Sequence, residues 1–196
     1  NKISEEFAEN DIIKAWLDTD KVFVFVEYYY LNPGEPEVMD YVVNGITEIV
    51  ENYDIDGIHF DDYFYPSFTQ YNYKRVFDAK EYNAYVKRQQ KKNESYTSIT
   101  SWRRSQVNCL VRQVYQAIKK IDSSVEFGIS PAGNIDNLKS KTSYYVDIDR
   151  WVCNSGYVDY ICPQIYWGFQ NGQYSYDKVL KRWIQLCSKR KVKLYV

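Results

Sequence analysis

The chain has 196 residues, enough for one domain with a sizeable core and too few for two large ones. Its 25 basic and 26 acidic residues leave a net charge of −1, so no overall field points to nucleic acid or to an anionic membrane surface. Aromatic residues reach 18%, with 21 tyrosines, a composition that fits a protein stacking flat-faced ligands.

Cys109, Cys153, Cys162 and Cys187 show no CxxC spacing, and three of them sit in apolar periodic segments. They are expected as reduced, unpaired core residues, neither a zinc site nor a disulfide framework. No stretch approaches the ~20 apolar residues of a membrane span. The chain opens Asn1-Lys2-Ile3-Ser4, with neither methionine nor a signal-peptide core, which fits a mature or trimmed product.

In chain order, Val22 to Leu31 reads as a strand or extended segment that Asn32-Pro33-Gly34 breaks. Pro36 suits a first helical turn, and Val38, Val42, Ile46, Ile49 and Val50 follow at helical spacing, predicting a helix over 36–53. A strand over Asp56–Asp62 comes next. Residues 63–99 form a long polar insertion with a helix around Tyr73–Lys91. Thr100 or Ser101 can cap the following helix, whose stripe is Val107, Leu110, Val111, Val114, Ile118 and Ile121. A strand over Val125–Ser130 ends at Pro131-Ala132-Gly133, and a helix near Val146–Cys153 leads to a strand over Tyr160–Trp167. Val179, Leu180, Trp183, Ile184 and Cys187 mark the last helix, and Val192–Val196 begins another strand.

This alternation predicts an α/β fold of parallel strands and crossover helices, with 1–196 as a single domain. The strands near 56–62, 125–130 and 159–167 should be parallel neighbours, with helices 36–53 and 101–121 on their outer face. No Gly-x-Gly-x-x-Gly or Walker-type loop follows a strand, and polar residues gather at successive strand ends. A TIM-type barrel therefore fits better than an open nucleotide-binding sheet, and no cofactor is expected.

Asp54-Ile-Asp-Gly-Ile-His-Phe-Asp-Asp-Tyr-Phe-Tyr-Pro66 carries the most information. Strand periodicity puts Gly57, His59 and Asp61 on one face and Ile58, Phe60 and Asp62 on the other. Adjacent carboxylates at a strand end repel each other, so packing alone seldom puts them there. A solvated acidic loop is the plainer alternative, and the Tyr63, Phe64, Tyr65 run argues against it. Asp54 and Asp56 lie at the opposite end of the strand from Asp61, so no shared metal is expected.

Several segments together resemble the glycosyl-hydrolase-like ten family, also known as domain of unknown function 187. They are Leu31-Asn-Pro-Gly34, the Asp56–Pro66 segment, Arg103-Arg-x-x-Val-Asn108, Phe127-Gly-Ile-Ser-Pro131, Tyr145-x-Asp147 with Trp151, and Asp159-Tyr-Ile-Cys-Pro-Gln-Ile-Tyr-Trp167. The resemblance implies a (β/α)8 barrel of which this chain covers roughly the third or fourth to the seventh βα unit, the stretch before Leu31 closing the third. It also implies glycosidase activity on a bacterial polysaccharide such as cell-wall glycan, and a place outside the cell or in its envelope. The Gly57-x-x-x-Asp61 spacing is similar to the fourth strand of the α-amylase superfamily, where that aspartate is the nucleophile.

Glycosidases need two carboxyl groups at the scissile bond, one ionised and one protonated. Asp61 is the ionised candidate, with Asp62 pointing the other way or into the loop, to orient the neighbours of Asp61 or bind substrate hydroxyls, and the reverse assignment stays open. The acid is unassigned: Asp136, Asp147, Glu27 and a residue of the barrel portion this chain does not cover are candidates, while Glu126 lies near its strand's start, far from the mouth. Period two puts Tyr160, Cys162, Gln164 and Tyr166 on one face. Gln164 and Tyr166 offer hydrogen bonds, Tyr63, Tyr65 and Trp167 offer stacking planes, and Asn134 falls on the same rim. His59, the single histidine, is either a satisfied structural group or part of the site. Three functions fit these residues: a glycoside hydrolase, a non-catalytic carbohydrate-binding barrel, and a metal-dependent hydrolase using Asp61 and Asp62. The partner is a polysaccharide or oligosaccharide in the first two.

Overall fold

The computed structural model describes residues 11–196 apart from positions 18, 26–27, 62, 70–71, 73–77 and 189–191. Helix α1 (Asp11–Trp16) is followed by an antiparallel hairpin of β1 (Val22–Phe25) and β2 (Tyr28–Leu31), with Val22 opposite Leu31. The expected single extended segment over 22–31 is thus two strands in a sheet of their own. Pairing with a sequence neighbour satisfies both backbones locally, at little entropic cost. Asn32 then ends the hairpin: its fully buried amide donates to the Asp20 carbonyl at 2.8 Å, and its Oδ1 accepts the Gly34 N–H at 2.9 Å.

Helix α2 (Pro36–Asn52) starts on proline, whose missing N–H is needless in a first turn. It leads to β3 (Gly57–Asp61), and helix α3 (Ala79–Lys91) lies within the long insertion. Helix α4 (Ile99–Ile121) is capped by Ser98, whose Oγ accepts the Ser101 N–H at 3.2 Å, so the cap lies two or three residues earlier than Thr100 or Ser101. β4 (Glu126–Ser130), the short helix α5 (Ile135–Leu138), α6 (Ile148–Cys153), β5 (Tyr160–Ile161), α7 (Tyr176–Cys187) and β6 (Lys193–Leu194) complete the order.

β3, β4, β5 and β6 form one sheet in that order, every pair parallel. The three strands expected as parallel neighbours are so. β5 is shorter than the expected 160–167: Pro163 has no N–H to give a ladder, and beyond it only Gln164 bridges, to Ala132. One face of the sheet is apolar. Ile58, Phe127, Ile129 and Ile161 share a core with Val107, Val111, Val114 and Ile118 of α4 and with Met39 and Val50 of α2. Those four α4 residues are fully buried, each contributing about 1.5–3 kcal/mol by its removal from water. Helices α2 and α4 therefore lie on the expected outer face.

The insertion is fastened to α4 by a fully buried ion pair. Arg103 gives Nε to Asp78 Oδ2 at 2.7 Å and Nη2 to Oδ1 at 2.5 Å, and Nη1 donates to the Tyr145 hydroxyl at 2.8 Å. The rings of Tyr65, Phe68 and Tyr145 enclose the guanidinium with centroids 5.0–5.7 Å away. All four cysteines are free, yet only Cys187 is fully buried, and Cys109 is exposed on α4. No described helix is long and apolar enough to cross a membrane.

Candidate active site

The face of the sheet away from the helices carries the polar groups. β3 is too short to change phase, so its alternation holds: Ile58 is buried on the helix side while Gly57, His59 and Asp61 are exposed on the other. Asp61 ends the strand, in register with Ser130 at the end of β4. Gln164 spans both. Its Nε2 donates to Asp61 Oδ1 at 2.5 Å and to the Ser130 carbonyl at 2.9 Å, while its Oε1 accepts the Tyr166 hydroxyl at 3.2 Å. Asp61, Gln164 and Tyr166 thus meet at the carboxyl ends of β3 and β5.

A second row lies one step below, where His59 is in register with Gly128, and Gly128 with Tyr160. The ring of Tyr160 occupies the space that a side chain on Gly128 would need, since a Cβ there would lie 2.1 Å from it. The hydroxyl of Tyr160 therefore crosses β4 to His59 Nδ1 at 2.9 Å, with the two rings stacked 5.6 Å apart. His59 Nε2 meets Ser130 Oγ at 2.7 Å. Burial, then the neighbouring Cys162 and Glu126, push the Tyr160 phenol above its usual range, so it is a neutral hydroxyl at neutral pH. Sequence reasoning left Ser130 and Tyr160 out of the site. Tyr160 shares the phase of Gln164, and Ser130 is the polar residue that ends β4.

The remaining predicted residues scatter. Tyr166 is 84% exposed, and Trp167 is half-buried against Tyr174 with centroids 5.3 Å apart. Tyr63 is exposed but lines a cavity of about 730 Å³ with Phe60, Phe64, Tyr28, Leu31 and Met39. Phe60 belongs to the helix side of β3, so that cavity lies across the strand from Asp61. Tyr65 is a correction: it is 3% exposed, packed on Phe68 and Tyr145 around Arg103, and offers no stacking plane. Burial and the Asp78 charge push its phenol far up. Asn134 is a second correction, because it is buried and caps α5, its Oδ1 accepting the Asp136 N–H at 2.9 Å. Asp62 and Glu27 fall outside the described residues.

The other acid candidates are held by cations. Asp136 makes a two-pronged pair with Arg182, both contacts 2.8 Å, which holds its carboxyl below the usual range. Asp147 accepts from Arg150 Nε and Asn108 Nδ2, each at 2.9 Å, and Glu126 pairs with Lys193. Among the described residues no group of three His, Cys, Asp or Glu side chains could hold a metal ion.

The sequence profile of the family described as Glycosyl hydrolase-like 10 matches residues 10–196. A protein of Bacillus subtilis (strain 168), Glycosyl hydrolase YngK, is 34% identical over 209 aligned positions that take in 100% of this chain and 38% of the relative. Glycosyl hydrolase DigH of Escherichia coli (strain K12) is 36% identical over 180 positions, 86% of this chain and 38% of the relative. The chain thus spans less than two-fifths of the length of these relatives. Its parallel sheet with helices on one face, the aspartate at the carboxyl end of β3 and a match over nearly every residue agree: the chain belongs to the glycosyl hydrolase-like 10 family.

Proposed function

We propose that the protein is a glycoside hydrolase of a bacterial polysaccharide, with cell-wall glycan as the substrate class and the cell envelope or exterior as its setting. Asp61 is its ionised carboxylate, facing the anomeric carbon as nucleophile. We read the four-stranded sheet as one wall of a (β/α)8 barrel, whose carboxyl-terminal mouth is where such enzymes bind substrate. The observation that carries the proposal is the Gln164–Asp61 contact of 2.5 Å. It fixes one carboxylate oxygen from a neutral donor and keeps the negative charge that an oxocarbenium-like transition state needs. On this reading Tyr166, bonded to Gln164, is the hydrogen-bonding group for sugar rings and Trp167, next in sequence, the stacking one. Asp62, one residue on, serves to orient or bind hydroxyls, and the alternative of a metal bridged by Asp61 and Asp62 is a second use of the same pair.

One observation favours a binding module: Asp136, Asp147 and Glu126 are each tied to a cation, which leaves none of these three poised as a proton donor. A single experiment separates the two. The full-length protein is incubated with peptide-free cell-wall glycan strands and with a panel of common polysaccharides, and the products are separated by mass. New reducing ends in shortened glycans support the hydrolase. Retention of glycan by the protein without any cleavage supports the binding module.

A further inference from the structure

A glycosidase must give a proton to the leaving oxygen. The two described carboxylates that sequence offered for this, Asp136 and Asp147, are bound to Arg182 and Arg150, and Glu126, far from the mouth, is bound to Lys193. The side chain in register beside Asp61 is the Ser130 hydroxyl, on the adjoining strand about 4.8 Å away along the sheet. Behind it, 2.7 Å from Ser130 Oγ, stands Nε2 of His59, the single histidine of the chain. The other ring nitrogen is held by Tyr160, whose hydroxyl reaches it because residue 128 is glycine. A nucleophile-type hydroxyl, an imidazole and a third group that orients the ring make a directed path for a proton.

We propose that Ser130 and His59 form the proton-delivering pair of this site: Ser130 touches the leaving oxygen, His59 supplies the proton through it, and Tyr160 positions the ring. This rests on the glycosidase reading above. As the bond from the anomeric carbon to the leaving oxygen breaks, that oxygen takes the Ser130 proton. Ser130 Oγ takes the Nε2 proton of the imidazolium, and Asp61 bonds to the anomeric carbon. His59 is left neutral, its Nδ1–H donating to the Tyr160 hydroxyl. In the second half, water attacks the anomeric carbon and the bond to Asp61 breaks. The water's proton passes through Ser130 back to Nε2. The sum is one glycoside and one water giving two hydroxyl products, with every group restored.

Among the described residues, the charged and titratable groups on the same face are Asp61 from β3, Glu126 from β4, Tyr160, Cys162 and Tyr166 in and beyond β5, and Lys193 and Tyr195 around β6. Lys193 is itself paired with Glu126.

The test compares leaving groups. Proton delivery matters for a phenyl glycoside, whose phenolate leaves poorly, and little for a 2,4-dinitrophenyl glycoside, whose anion leaves unaided. Full-length wild type, Ser130→Ala, His59→Gln and Asp61→Asn are assayed on both glycosides of an N-acetylglucosamine-containing disaccharide. Acid catalysis contributes about 10²–10⁴-fold. Ser130→Ala and His59→Gln should therefore lose at least about a hundredfold on the phenyl substrate and at least about tenfold less on the dinitrophenyl one. Asp61→Asn should lose both alike. The pH limb of wild-type phenyl turnover should coincide with the His59 ring titration followed by NMR, and vanish in His59→Gln. Equal losses on the two substrates, or a pH limb that survives His59→Gln, would overturn the pair while leaving Asp61 in place. A wild type inactive on both would overturn the glycosidase reading and the pair with it.

Discussion

At the scale of single residues, the geometry makes Gly128 as consequential as any charged group. A Cβ there would lie 2.1 Å from the ring of Tyr160, so Gly128→Val must drive that ring off β4 and break the 2.9 Å contact with His59. Overpacking of this kind costs about 1–3 kcal/mol, to be read from urea unfolding. The His59 ring signals should shift at the same time, and an unchanged His59 spectrum would contradict the assigned contact. Cysteine chemistry gives an independent check. Burial pushes the Cys187 thiol up to about 11, whereas Cys109 is exposed. Alkylation at neutral pH should label Cys109 first and Cys187 last. A raised folded-state pKa means that the native state holds its proton where the unfolded chain releases it. Stability should therefore be full below about pH 9 and decline between about pH 9 and 11. A rise in stability across that window would reverse the sign and contradict the burial of Cys187.

How much of the site was legible follows from these same residues. Period two in β3 was enough to put His59 and Asp61 together, because five regular residues leave no freedom of phase. Gln164, a polar group after a proline in an apolar segment, needed a partner and found Asp61. Tyr65 and Asn134 could not be placed this way. Both lie in irregular segments where no period relates side chain to face: Tyr65 is drawn inward by Arg103, far away in sequence, and Asn134 by the backbone of the helix it caps, two residues on. Ser130 shows the converse: strand phase would have found it, had the register with Asp61 been known.

At the scale of elements, the long periodic helices were plain in the sequence and the short strands were not. α2 and α4 repeat their apolar stripe over many turns, while β5 holds two residues and its successors pair only at Gln164. The insertion is kept in place by chemistry that sequence does not advertise. Arg103 and Asp78 are both fully buried, and Tyr144 and Tyr145 adopt left-handed backbone with φ of 58° and 54°. Such a conformation costs about 1–2 kcal/mol per residue. The Tyr145 hydroxyl bond to Arg103 holds it there. Asp78→Ala or Arg103→Met strands one buried charge or set of donors, and each should destabilise by about 3–5 kcal/mol in chemical unfolding. The double variant should lose much less than the sum, since neither partner is then left alone. Strict additivity would show that the two groups do not meet.

At the scale of the whole molecule, the described residues divide into two apolar clusters. The larger runs from α2 through the parallel sheet to α7, and the smaller joins Ile13, Trp16, Val22 and Val38 under the hairpin. Hydrogen exchange should follow that division, slowest in α4 and β4 and faster in β1 and β2, because the small cluster buries less. The proposed site sits on the larger body, where Asp61 and Ser130 end β3 and β4 in register and Gln164, beyond β5, bonds to both. The most direct measurement is turnover and affinity of Asp61→Asn in the full-length protein. On the proposed assignment, asparagine keeps the shape but removes the negative charge that would meet the developing positive charge at the anomeric carbon. Glycan turnover should fall about a thousandfold or more while glycan affinity stays within a few-fold of wild type. Near-normal turnover by Asp61→Asn would contradict the assignment of the catalytic carboxylate.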